Sequence, residues 1–190
     1  RHFGAWAAVV SVITLSNCLD FGLGNGAMNL IAGAKGGNRA EQIPEIIATA
    51  YASLLKTTGV LALSFIAVPF LPWHRLLGLS FEDAGISTAS VAIVLFAVLS
   101  TIPLSLANKL QLGLGIGGKA FRWQAAGQLL TAAVVILLAK AGYGLPALVA
   151  GSALVPISAL LMNTREFLKS LPKPNHPIHR DHQISRQIRH

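Results

Sequence analysis

From Ala84 to Asn108 the chain carries no charged side chain, and the same holds from Trp123 to Ala139 and from Ala141 to Thr164. Two earlier stretches, 3–34 and 46–73, are each interrupted by one charge, Asp20 in the first and Lys56 in the second. A helix needs about 20 mostly apolar residues to cross a hydrocarbon core ~30 Å thick. A soluble helix would show a polar face every turn. The run Ala92, Ile93, Val94, Leu95, Phe96, Ala97, Val98, Leu99 leaves none. The five segments therefore predict an all-α polytopic membrane helix bundle occupying residues 1–170. Its spans are 3–34, 46–73, 84–108, 123–139 and 141–164.

Composition agrees. Hydrophobic residues make up 53% of the chain and charged ones 12%, with a mean hydropathy of +0.61. A disordered chain would be poor in apolar residues, and the single cysteine, Cys18, excludes a disulfide scaffold. A cleaved leader would be followed by a polar mature chain. Here apolar runs recur to residue 164, so the first segment reads as a mature span.

Orientation follows from the basic residues between spans. Lys35 and Arg39, then Lys109, Lys119 and Arg122, then Arg165, Lys169 and the tail arginines fall on one side. Arg1, Arg75 and Lys140 fall on the other. The heavier side is expected in the cytoplasm, with the N-terminus outside and the C-terminus inside. An outside start fits a further span before Arg1. Residues 171–190 form a separate unit with Pro172, Pro174 and Pro177 and with His176, His179, His182 and His190. This reads as a basic, disordered cytoplasmic tail in reach of anionic head groups. The irregular histidine spacing implies no structural metal site.

Chemistry-bearing motifs are few. Gly113–Ala120 matches the three-glycine dinucleotide pattern and nearly matches a P-loop. Ala120 replaces the hydroxyl that would hold magnesium, and an apolar span replaces the required strand. The stretch reads instead as a glycine-rich cytoplasmic turn. The carboxylates Asp20, Glu41, Glu45, Glu82, Asp83, Glu166 and Asp181 form no acid–base or nucleophilic set. No enzymatic activity, cofactor, metal or nucleic-acid partner is expected.

Polar groups within the spans carry more information. Gly22, Gly24 and Gly26 weaken a helix and are flanked by Asp20, Asn25 and Asn29. Broken backbone inside a bilayer is tolerated only beside protein or a water-filled cavity. This places a hinge and a polar cavity lining here, although close helix packing through small residues explains the glycines equally well. Pro103 predicts a kink, as does Pro156. Gln124, Gln128 and Thr131 share helical spacing and suit either a cavity wall or a neighbouring helix. Asp20 and Lys56 lie at similar depth from the cytoplasmic ends of consecutive spans. Two readings stay open for them: both face one cavity and pair directly or through water, or Lys56 stays unpaired with its stem reaching to water while Asp20 caps the glycine-rich break.

Three regions carry a family resemblance. Phe3-Gly4-Ala5-Trp6 with Ser16-Asn17-Cys18-Leu19-Asp20-Phe21-Gly22-Leu23-Gly24-Asn25-Gly26 resembles the second-span region of polysaccharide and O-antigen flippases. These belong to the multidrug/oligosaccharidyl-lipid/polysaccharide exporter superfamily. Pro103 to Leu114 resembles that family's fourth span entering its cytoplasmic loop, and Trp123-Gln124-Ala125-Ala126-Gly127 the start of its fifth. The resemblance covers roughly residues 3–165. It implies that the five spans are the second to sixth of a first bundle. It further implies alternating access against a second bundle, and a lipid-linked oligosaccharide or polysaccharide precursor as substrate. Lys56 would then be the cation facing an anionic substrate. Lys109, Lys119 and Arg122 would attract head groups at the cytoplasmic mouth. The chain differs in its Gly117-Gly118-Lys119 loop and its histidine-rich tail. Two other readings stay open: a drug/cation antiporter with Asp20 as its proton or sodium site, and a non-transporting scaffold or decayed gene product. The expected partners are the bilayer, the lipid-linked sugar, and a second helical bundle or another copy of the chain.

Overall fold

The computed structural model describes residues 22–66, 68, 71 and 84–171. The described residues form an all-α bundle: α1 (Leu23–Gly36), a 3-10 turn (Ala40–Gln42), α2 (Ile43–Ser64), α3 (Ala84–Gly113), α4 (Gly117–Lys140) and α5 (Leu145–Ser170). The last four helices, α2 together with its preceding turn, are long and apolar enough to cross a membrane. α1 has 14 residues, about 21 Å at 1.5 Å per residue. The rest of the first predicted span lies outside the described residues.

The helix limits have local causes. α1, α3 and α4 each end on a left-handed residue, at Asn38 (φ 55°), Gly115 (φ 72°) and Gly142 (φ 74°). At Gly115 the closure is reciprocal. Gly115 N–H donates to Leu112 O, and Ile116 N–H donates to Gln111 O, both at 2.9 Å. This is the glycine-capped helix end that satisfies otherwise orphaned carbonyls. The predicted glycine-rich turn at 113–120 is therefore much shorter. The turn is 114–116, and α4 already starts at Gly117. α3 runs past the expected limit of 108 to Gly113. α2 ends at Ser64 although the apolar run continues to 73. Pro69 and Pro72 stand ahead, and a proline disfavours helix in the residue before it. α5 continues past 164 to Ser170 because Phe167 is buried there, and it stops before Pro172.

The helices α3 and α5 are continuous through their interior prolines, Pro103 and Pro156. The glycine stretch divides at one point. Gly22 adopts φ +77° at the start of α1, while Gly24 and Gly26 lie within the helix.

α3 is the hub and packs against each of the other four helices. α1 also packs on α2, and α4 on α5. One core joins Leu23, Ala27, Ile31 and Ala34 of α1 to Ile46, Ile47, Ala50 and Leu54 of α2, Ile102, Leu106, Ala107 and Leu110 of α3, and Phe167 of α5. Lipid tails are as apolar as leucine, so membrane helices associate through close approach of small residues. The buried alanines serve this, and so do three glycines. A Cβ on Gly113 would sit 2.6 Å from the Met28 carbonyl oxygen. A Cβ on Gly127 would sit 2.8 Å from Ala159 Cβ, and one on Gly151 3.0 Å from Leu138 Cδ1. Large apolar side chains point outward instead, with Leu129 74% and Leu63 70% exposed. α4 is the extreme case, burying only Ala120 and Gly127.

Candidate functional site: a polar seam on the first helical hairpin

The chain order places the ends of the helices in two groups. The 37–42 connection and the 114–116 turn lie at the same end, because Lys35 Nζ donates to Leu114 O at 2.6 Å. That cation also satisfies a carbonyl at the end of α3, where positive charge is favoured. The last turns of α5 meet the first turns of α4 there too. Trp123 Nε1 donates to Glu166 Oε2 at 2.8 Å, and Lys119 Nζ lies 3.9 Å from Glu166 Oε1. One end of the bundle thus collects Lys35, Arg39, Lys109, Lys119, Arg122, Arg165 and Lys169. The other end holds Lys140 among the described residues.

At the basic end, between α1 and the start of α2, lies a cleft of 240 Å³. It is lined by Asn29, Leu30, Gly33, Ala34, Arg39, Gln42 and Ile46. Residues three, four and seven apart share a helix face. Asn25 is therefore one turn further into the membrane-length hairpin on the Asn29 side of α1, and both are exposed. On α2 the same relation links Gln42 to Thr49 and Thr49 to Lys56. Lys56 is exposed. Thr49 is 8% exposed, and its hydroxyl has no hydrogen-bond partner. The hairpin therefore carries two polar stripes, together called the seam: Asn25 and Asn29 along α1, and Gln42, Thr49 and Lys56 running from the turn along α2; of these, Asn29 and Gln42 line the cleft with Arg39.

The seam is set against an unusual economy elsewhere. Helical hydroxyls normally turn back onto the preceding turn. Thr57, Ser64, Thr101, Thr131 and Ser152 all do so, each on the carbonyl four residues back. Thr49 and Thr58 do not, and the Tyr51 hydroxyl is likewise buried without a partner. Among the described residues, the three buried hydroxyls without a partner are all on α2.

A second polar cluster fastens α3 to α5. Gln111 Nε2 donates to Asn163 Oδ1 at 3.0 Å, and Asn163 Nδ2 donates to Asn108 Oδ1 at 2.6 Å and to Gln111 Oε1 at 3.3 Å. Thr164 Oγ1 donates to Leu104 O at 3.1 Å. Gln111 and Asn163 are 1% and 0% exposed. These donors and acceptors satisfy one another, so the cluster is a clasp rather than an open site.

The sequence-predicted residues separate on this frame. Asn25, Asn29 and Lys56 belong to the hairpin seam. Gln124 and Gln128 are exposed on α4, which packs on α3 and α5, away from that seam. Pro103 is half-buried in α3, on the helix carrying the clasp. Lys119 pairs with Glu166, Arg122 is exposed, and Lys109 is half-buried with a partner of its own. Asp20 lies outside the described residues, and so does any pairing of it with Lys56. Reading the sequence missed Gln42, Thr49 and the role of Arg39 beyond its charge. The seven-residue spacing of Gln42, Thr49 and Lys56 was the available signal. Among the described residues no three His, Cys, Asp or Glu side chains converge as metal ligands. Comparison with protein-family models, curated proteins and solved structures finds no match for this chain.

Proposed function

We propose that this chain is one half of a membrane transporter that translocates a lipid-linked oligosaccharide or polysaccharide precursor by alternating access. It makes and breaks no bond of the substrate. The observation that supports this reading is the seam. A charge at the bilayer centre costs about 2.5–3.5 kcal/mol on insertion scales, so such groups face water or protein. Lys56 stands 13 positions beyond Ile43, about 20 Å along α2, and is exposed. An exposed lysine at that depth, in line with Thr49 and Gln42, suits a water-filled path that a second bundle or second copy would complete. The cation suits the anionic head of a lipid-linked sugar. The basic end of the bundle is the cytoplasmic one in this reading, in a bacterial inner membrane.

Cysteine accessibility tests the premise. With Cys18 replaced, Asn29→Cys and Lys56→Cys are expected to react with a water-soluble thiol reagent, and Leu129→Cys to resist it. Asn38→Cys should label from the cytoplasm and Gly142→Cys from outside. Equal inertness of positions 29, 56 and 129 would mean that the seam faces lipid.

Transport itself is measured with a fluorescent lipid-linked sugar in vesicles. The chain alone is expected to be inactive and to gain activity with a second half or by self-association. In the active assembly, Lys56→Gln should slow flipping about tenfold or more, the equivalent of one contact worth roughly 1.4 kcal/mol. Full activity of a purified monomer would sink the half-transporter reading.

A further inference from the structure

The α1–α2 cleft has the dimensions and donors of a small-anion site. Its 240 Å³ is ample for a phosphate group and its ester oxygens. Three of its lining side chains are hydrogen-bond donors: the Arg39 guanidinium and the Asn29 and Gln42 amides. The remaining lining is aliphatic or glycine, so no carboxylate opposes an anion inside it. Two acids are near in sequence. Glu41 is exposed on the 3-10 turn and does not line the cleft. Glu45 lies on α2 and already has a partner.

The lack of a side chain at Gly37 leaves room for Arg39. A Cβ on Gly37 would lie 3.3 Å from Arg39 Nε and 3.1 Å from Gly33 O. The guanidinium therefore folds back across Gly37 toward α1, where a planar fork can meet an anion at two points. Just inward, on the same α2 face as Gln42 and Ile46, the buried Thr49 hydroxyl has no partner. The cleft opens at the basic end of the bundle, beside the ends of α1 and α2, the level at which lipid phosphates lie in a membrane protein so oriented.

We propose that the α1–α2 cleft binds a phosphate group, with Arg39 as its charged ligand and Asn29 and Gln42 as neutral donors. Any phosphate monoester or diester of the interface carries this chemistry, whether on a lipid head group or as the free ion. The site does not require that the chain be a transporter.

The test follows the side-chain amide signals of Asn29 and Gln42 by NMR, with the full chain in uncharged detergent micelles. One titration uses a short-chain phosphatidylglycerol and the other inorganic phosphate. Saturable shifts with the lipid alone assign the site to head groups. Shifts with both, or with phosphate alone, assign it to the free anion as well or instead. A diffuse basic surface would treat lysine and arginine alike. A built site does not, because lysine cannot form the fork. Arg39→Lys should weaken binding about fivefold, and Arg39→Gln more than about tenfold. Gly37→Val keeps the charge and displaces it, and should weaken binding as Arg39→Lys does. Arg165→Gln, at the same end on α5, should change nothing. Absence of a saturable shift with either probe would overturn the site, as would an Arg39→Lys chain that binds like the native one.

Discussion

An Asn163→Leu chain is expected to lose about 2 kcal/mol of stability, because the buried Gln111 amide and Asn108 are left without their partner. The estimate weighs two effects. An orphaned buried polar group costs ~1–3 kcal/mol. Interhelical hydrogen bonds in membranes average only about 0.6 kcal/mol, since the separated helices also find partners. Gln111 is 1% exposed and Asn108 is half-buried, which places the loss near the middle of the ~1–3 kcal/mol range. Adding Gln111→Leu should recover much of it, because removing both partners of a buried pair is far less costly than removing one. Denaturation in mixed micelles, followed by helical circular dichroism, gives both free energies. An Asn163→Leu chain as stable as the native one would show that the clasp contributes nothing.

Gly113→Ala is expected to destabilise by a comparable amount, about 2 kcal/mol, as overpacking of a close contact does. The obstacle at 2.6 Å is the Met28 backbone carbonyl, which no side-chain change can move. α1 must therefore shift away from α3. Gly127 provides the internal contrast. Its obstacle is Ala159 Cβ at 2.8 Å, so a Gly127→Ala loss should be rescued by Ala159→Gly. No second substitution at Met28 should rescue Gly113→Ala. The same denaturation measurement decides it, and a neutral Gly113→Ala would mean that α1 and α3 do not approach this closely. Because α1 forms one wall of the cleft, Gly113→Ala should also perturb the Asn29 amide signal.

Much of the architecture was legible in one dimension. The bilayer demands a long apolar stretch. The uncharged runs at 84–108 and 123–139 each fall within an observed helix, and the run at 141–164 does so from Leu145 on, its first four residues forming the turn between α4 and α5. Helix ends were less legible. Their limits depend on local backbone closures, such as the left-handed Gly115 that ends α3 and lets α4 begin at Gly117. In composition those glycines resemble one long flexible turn. Asn25, Asn29 and Lys56 could be singled out as polar residues in apolar spans, since that contrast is written in the sequence. Gln124 and Gln128 show the same contrast, yet they lie exposed on α4, away from the hairpin.

The sequence by itself determined that the chain is an apolar helical bundle with its basic residues in alternate connections. Both properties are sums over consecutive residues, and neither depends on which helix touches which. Only the tertiary structure decided which polar groups meet. In a soluble protein the polar face of a helix marks its outside. In a membrane the outside is as apolar as the core, so hydropathy cannot distinguish the side of α2 that holds Leu54 from the side that holds Leu63. Small differences in side-chain size made that choice. Ala27, Ala50, Ala107 and Gly113 let α1, α2 and α3 close on one another. Their closure brings Asn29, Arg39 and Gln42 around one cleft, and the packing of α5 on α3 joins Gln111 to Asn163 across 52 residues of sequence.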